Sequence, residues 1–173
     1  MSERSGWRRN QRWWRTLAVA AVALALLGPA QANSLHRGNS AYVRGDYVAA
    51  AAIFELLAER GDRNAQARLG YMYEIGRGVP QNYTAAAAWY RRAAEQGQPT
   101  AQYLLGLLYD KGFGVPRDVV EAHRWLTLSA ASVRKADRID PVRIRDAVAT
   151  KMTRGEIAQS RLLSVTWRPR RER

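Results

Sequence analysis

The sequence predicts an all-α protein assembled from tandem helix pairs. Three observations point there. The segment from Ala65, AQARLGYMYEIGRGVPQNYTAAAAWYRRAAEQG, is echoed without a gap 36 residues later from Ala101, AQYLLGLLYDKGFGVPRDVVEAHRWLTLSAAS. Within each copy, apolar residues recur at helical spacing and are then interrupted by a Gly-x-Gly turn. After the turn in the first copy comes an alanine-rich stretch, and alanine is the strongest helix former.

The offset pairs Leu69-Gly70 with Leu105-Gly106, Tyr73 with Tyr109, and Trp89 with Trp125. It also pairs Gly76, Gly78, Val79 and Pro80 with Gly112, Gly114, Val115 and Pro116. The first helix of the unit is expected from about Ala65 to Ile75, with Leu69, Met72 and Tyr73 forming its apolar face. Gly76-x-Gly78 ends it, because glycine accepts the left-handed conformation of a helix exit. Asn82, and Asp118 in the next unit, stand where a second helix needs a cap, and Glu121 lies at capping-box spacing from Asp118. That second helix is expected from about Tyr83 to Glu95, ending at Gly97. Gly70 and Gly106 fall inside first helices, where glycine costs roughly 1 kcal/mol against alanine. The repetition of this cost predicts close helix–helix approach at both positions.

These residues follow the pattern A-x-x-x-L-G-x-x-Y-x-x-G-x-G-V-x-x-(D/N)-x-x-x-A-x-x-W, which resembles the Sel-one-like repeat family, relatives of the tetratricopeptide repeats. Asn82 stands where aspartate is usual, and Ala87 and His123 depart from the commoner pattern. The resemblance implies a right-handed superhelix (an α-solenoid) of antiparallel helix pairs. It also implies work as an adaptor for other proteins.

The units are expected at residues 64–99 and 100–133, preceded by a degenerate first repeat over 33–63. In that first repeat Gly45-Asp46-Tyr47 forms a shorter turn, and Ala49 and Gly61 fall 36 residues before Ala85 and Gly97. Residues 134–167 are expected to close the solenoid with a capping helix pair. Asp140-Pro141 suits a helix start, and Thr153-x-x-Glu156 reads as a capping box. Residues 168–173, RPRRER, read as a disordered basic tail, and Trp167 before them as a seal on the end of the stack.

Ahead of the repeats, residues 1–32 read as a secretory signal. Five arginines face one acid, Glu3, before the apolar run Leu17–Leu27; Gly28-Pro29 and Ala30-Gln31-Ala32 follow, placing cleavage after Ala32. The alternative is an uncleaved anchor, although the apolar run is shorter than the ~20 residues a membrane span needs. Cleavage would give a periplasmic protein with no membrane span in the mature chain. The chain contains no cysteine, which removes disulfides, thiolate metal sites and a cysteine nucleophile.

After residue 32 there are 23 basic and 14 acidic residues, a charge of +9, of which residues 134–173 carry +7. A basic end attracts anions. For an exported chain an anionic envelope polymer or an acidic partner fits better than nucleic acid.

No catalytic, cofactor or metal site is expected. Of the two histidines, His36 and His123, the latter reads as a solvated or partly packed residue of a second helix. No phosphate loop, nucleophile elbow or metal-ligand spacing is present. Glu74 and Asp110 are equivalent across the units and read as solvated surface charges. Function is therefore expected on the solenoid's inner surface, which first helices line. The partner-binding candidates are Gln66, Arg68, Tyr71 and Ile75, with their counterparts Gln102, Leu104, Leu107 and Lys111. Such a groove suits a peptide or protein partner, bound without catalysis.

Overall fold

The computed structural model describes residues 34–132, 140–170 and 172; the signal expected in residues 1–32 lies outside them. Among the described residues there are helices and turns and no strands. Helix α1 covers 34–43. It is followed by α2 (Tyr47–Glu59), α3 (Arg63–Ile75), α4 (Tyr83–Glu95), α5 (Pro99–Lys111), α6 (Val119–Ser132), α7 (Pro141–Ala149) and α8 (Arg154–Thr166). Each helix from α2 to α6 packs on the next, while α7 and α8 both pack on α6. The result is an α-solenoid of consecutive helix pairs with a two-helix cap. None of the described helices is long and apolar enough to cross a membrane.

The caps fall where backbone chemistry requires them. Asn82 accepts a hydrogen bond from the Ala85 amide (3.0 Å), and Asp118 accepts from the amides of Val120 and Glu121 (2.9 and 3.0 Å). Asp62 caps α3 two residues ahead of the expected start, accepting from Asn64 and Ala65 (2.8 and 2.9 Å). Gly76 and Gly112 close α3 and α5 in the left-handed conformation, at φ 69° and 74°. In the cap, Asp140 accepts from the Arg143 amide ahead of α7, and Thr153 and Glu156 form the full capping box of α8.

The recurring intrahelical glycines are contact points. A Cβ built on Gly70 would lie 2.7 Å from Tyr90 Cδ1, and one on Gly106 would lie 2.8 Å from Leu126 Cγ. Tyr90 and Leu126 are fully buried and stand 36 residues apart, so each second helix lays one large side chain across the glycine of its partner helix. The same contact exists in the first repeat, where Phe54 Cε1 would lie 2.6 Å from a Cβ on Gly38. Phe54 keeps the 36-residue spacing to Tyr90, but Gly38 precedes Gly70 by only 32. The first repeat is thus a complete unit whose inter-helix turn is four residues shorter.

Two carboxylates read as solvated are instead part of this packing. Tyr90 Oη donates to Glu74 Oε2 at 2.6 Å. Burial first, then the charge of Glu74, pushes the Tyr90 phenol well above its ordinary pKa, so it stays a donor. In the third repeat the tyrosine position is Leu126, which offers no hydroxyl to the equivalent carboxylate, Asp110. Lys151, just beyond α7, supplies the partner, with Nζ 2.6 and 2.8 Å from the two oxygens of the buried Asp110. The last repeat therefore takes from the cap what its own second helix lacks.

His123 is also more enclosed than its sequence setting suggests. It is buried on α6, with Nδ1 2.6 Å from the Oγ of buried Ser160 on α8. Burial lowers its pKa, Arg145 and then Arg161 lower it further, and Asp146 opposes them. The depressed value means that the unfolded chain takes up a proton first as pH falls. This interface contributes fully above the ordinary histidine range and weakens as pH drops through about 6.5. Thermal melts at pH 7.5 and 5.5 are expected to show a larger loss for the wild-type chain than for His123→Gln. Equal losses would remove His123 as the cause.

The segment after α8 departs from the expected disordered tail. Trp167, expected to seal the end of the stack, instead packs along its side on the core of the second and third repeats, beside the Gly97 turn between them. Beyond it the Arg170 amide donates to the Glu95 carbonyl at 2.8 Å. Glu172 accepts from Arg92 Nε (3.0 Å), Arg92 Nη2 (2.6 Å) and Gln66 Nε2 (2.8 Å). A chain rich in proline and arginine has little apolar surface to order it, so its docking rests on these polar contacts and on the Trp167 anchor.

Candidate partner-binding groove

First helices of successive units line one face of the stack. There Leu35, Asn39 and Tyr42 of α1, Asn64, Ala67, Arg68 and Tyr71 of α3, and Thr100 and Leu104 of α5 enclose a groove of about 650 Å³, with Gln98 at its edge. The spacing on each helix is that of one exposed stripe: Asn64, Arg68 and Tyr71 lie at i, i+4 and i+7, as do Leu35, Asn39 and Tyr42. The groove exists because the buried stripe of each first helix, carrying Ala65, Leu69 and Met72 on α3, faces the neighbouring helices.

Three of the eight residues expected at a binding surface meet in this groove: Arg68, Tyr71 and Leu104. Arg68 is exposed, and Tyr71 presents 38% of its surface. Ile75 and Leu107 are half-buried and Lys111 is exposed, all three further along α3 and α5 and outside the groove lining.

Gln66 and Gln102 are corrections to the groove: both are buried, lie outside its lining and bond to the preceding second helix. Gln66 Nε2 donates to the Ala58 carbonyl (3.0 Å), and Gln102 Nε2 donates to the Ala94 carbonyl (3.2 Å). Ala58 and Ala94 lie in the last turns of α2 and α4, where carbonyls have no partner within the helix. The repeated glutamine therefore ties each first helix to the end of the preceding second helix. Its recurrence reports architecture, as the recurrence of the glycines does.

Sequence reasoning missed Leu35, Asn39 and Tyr42, because the first helix of the first repeat has no partner at the 36-residue offset. The available signal was the Gly38 register. Aligning Gly38 with Gly70 places Asn39 opposite Tyr71 and Leu35 opposite Ala67.

The electrostatics of the groove are one-sided. Of its ten lining residues Arg68 is the only charged one, and three are amides: Asn39, Asn64 and Gln98. With two tyrosines beside them, they offer hydrogen-bond donors, aromatic faces and one cation, and no carboxylate. Among the described residues no cluster of three or more histidines or carboxylates is placed to hold a metal ion. The close contact of His123 with Ser160 lies buried between α6 and α8, away from this surface.

Comparisons with known proteins agree with the architecture. A solved structure of c5321, a protective antigen present in uropathogenic Escherichia coli strains and displaying an SLR fold, superposes with a TM-score of 0.72 at 29% identity. The superposition covers 79% of this chain and 29% of that one. A Sel1 repeat protein from Oxalobacter formigenes matches with a TM-score of 0.54 at 36% identity, covering 57% of this chain and 39% of the other. The chain thus spans about a third of the length of these solved relatives. No curated protein matches it. The Sel1 repeat model matches residues 21–62, 63–98 and 99–132, and with those three consecutive matches over most of its length the chain belongs to the Sel1 repeat family.

Proposed function

We propose that this protein is an exported, non-catalytic interaction scaffold that holds a peptide segment of a partner protein in the groove formed by α1, α3 and α5. Sel1 repeat proteins are generally protein-interaction scaffolds. The observation that carries the finer reading is the groove itself, with exposed Tyr71 and Arg68 beside Leu104. Tyrosine and arginine are the residue types that most often anchor protein interfaces. A lining with one cation and no carboxylate favours a segment bearing acidic side chains. Export is supported by the order of charged, apolar and small residues over 1–32, and the periplasm is the compartment proposed.

The groove is short, so modest affinity is expected from one chain. The test is affinity capture with the mature protein from the envelope of its own cell, beside an Arg68→Glu, Tyr71→Ala double variant. Both residues are exposed on α3, so the variant keeps the fold, and circular dichroism checks that. A partner retained by the wild-type chain and lost by the variant supports the groove. Retention that survives both substitutions and disappears in high salt would favour an anionic polymer held by the basic C-terminal region instead.

A further inference from the structure

The docked tail marks a site that the groove does not include. The turns joining successive repeats, at Gly61 and Gly97, lie in a row one repeat apart. Trp167 Cη2 and Pro169 Cβ would lie 3.4 and 3.6 Å from a Cβ on Gly97, and Glu172 Cβ would lie 3.1 Å from one on Gly61. The tail therefore meets one turn through Pro169 and the previous turn through Glu172. Both turn glycines have positive φ, 84° and 78°, and their bare α-carbons leave room for the passing chain.

At the far end the carboxylate is received by a prepared pocket. Arg92 meets Glu172 with both Nε and Nη2, a two-pronged arrangement suited to a carboxylate. The guanidinium is held over the Trp89 ring, 4.6 Å from its centre. Gln66, whose side chain is fully buried, donates to the same carboxylate, and its Oε1 is fixed by Gln96 Nε2 at 2.9 Å. Gln96 in turn donates to the Gly61 carbonyl at 3.1 Å. Arg92 first, and then Gln66, holds the Glu172 carboxyl below the usual range against the effect of burial. Midway, the backbone bond from Arg170 to Glu95 fixes register without reading a side chain.

We propose that this row of inter-repeat turns is a second peptide-binding site, selective for a segment with a glutamate three residues after a proline, and that the segment following α8 occupies it in cis as a displaceable ligand. The site borders the concave groove, since Asn64 lines both the groove and the cavity beside Glu172. This inference does not depend on the groove's own partner. Tethering gives the tail an effective concentration of the order of millimolar, so the cis segment excludes a competitor of ordinary affinity until it is weakened.

The test uses the full-length chain and a fluorescently labelled peptide, TWRPRRER, matching residues 166–173. Glu172→Gln removes the charge from the cis ligand and leaves the pocket intact. The variant is expected to bind the peptide in a fluorescence anisotropy titration, and the wild-type chain to bind it at least about tenfold more weakly. A peptide with glutamine in place of its glutamate should lose about tenfold on the same variant. Adding Arg92→Met to the variant should remove peptide binding while leaving the melting temperature close to that of Glu172→Gln alone. Failure of the variant to bind the glutamate peptide would reduce the tail to a structural strap and overturn the proposal. Equal binding by the wild-type chain would overturn occupancy in cis. A wild-type chain that elutes as a dimer, and becomes a monomer on Glu172→Gln, would also overturn it by placing the tail on a second copy.

Discussion

A Gly70→Leu chain is expected to lose about 3 kcal/mol or more of folding stability, a large part of the 5–15 kcal/mol typical of a domain. For a protein of this size that lowers the melting temperature by roughly 10 °C, read by circular dichroism. The reason lies in the neighbour. A Cβ at this position meets Tyr90 Cδ1 and Cε1 at 2.7 and 2.8 Å, and the Ala86 carbonyl at 3.2 Å. The ring cannot swing aside, because it is fully buried and its hydroxyl is bonded to Glu74. Relief therefore requires α3 and α4 to separate, which opens the core around Leu69 and Met72. Even Gly70→Ala should destabilise, reversing the usual gain of roughly 1 kcal/mol for that exchange inside a helix. A Gly70→Leu protein melting with the wild type would show that the two helices do not touch here.

The second large effect is expected at Gly114. Its φ of 68° already disfavours any residue with a side chain, by about 1–2 kcal/mol. The added Cβ would also collide with the carbonyl group of Tyr83 and with the Thr84 amide nitrogen, at the start of α4 in the preceding unit. Gly112 provides the control, with a similar φ of 74° and its nearest neighbour, Arg117 Cβ, 3.3 Å away. Gly114→Ala should therefore cost about 3 kcal/mol, and Gly112→Ala about 1 kcal/mol, in urea unfolding. Matching losses would mean that the turn does not rest on the previous repeat. Gly78 makes the equivalent collision with Tyr47, so the second glycine of each turn sets the distance between units, and the first ends a helix.

Much of this architecture is legible in the sequence because it is periodic. The glycines, the capping residues and the boundaries of α4 follow from short-range chemistry repeated at a fixed offset. What was hidden lies where the period changes or where contacts span distant residues. Gly38 escaped because a turn four residues shorter moves it out of register with Gly70. The roles of Glu74 and Asp110 escaped because their partners differ, a tyrosine within the unit for one and Lys151 of the cap for the other. Gln66 and Gln102 look like groove residues in the sequence because a polar side chain on a first helix gives no sign that a carbonyl of the previous helix lies opposite. The composition of the tail predicts disorder and says nothing about a waiting arginine.

The Glu172–Gln66 bond joins residues separated by 106 positions, in a fold whose helices otherwise pack on close neighbours in sequence. Loop-closure entropy opposes such a pairing until the intervening helices have shortened the path between its ends. Synthesis adds a direction to this order, because the early repeats emerge and can pack well before Glu172 is made. The pocket built by Gln66, Arg92 and Gln96 thus stands open on the nascent protein until Glu172 has been made and can fold back. During that interval any glutamate-bearing segment nearby meets no competitor from Glu172.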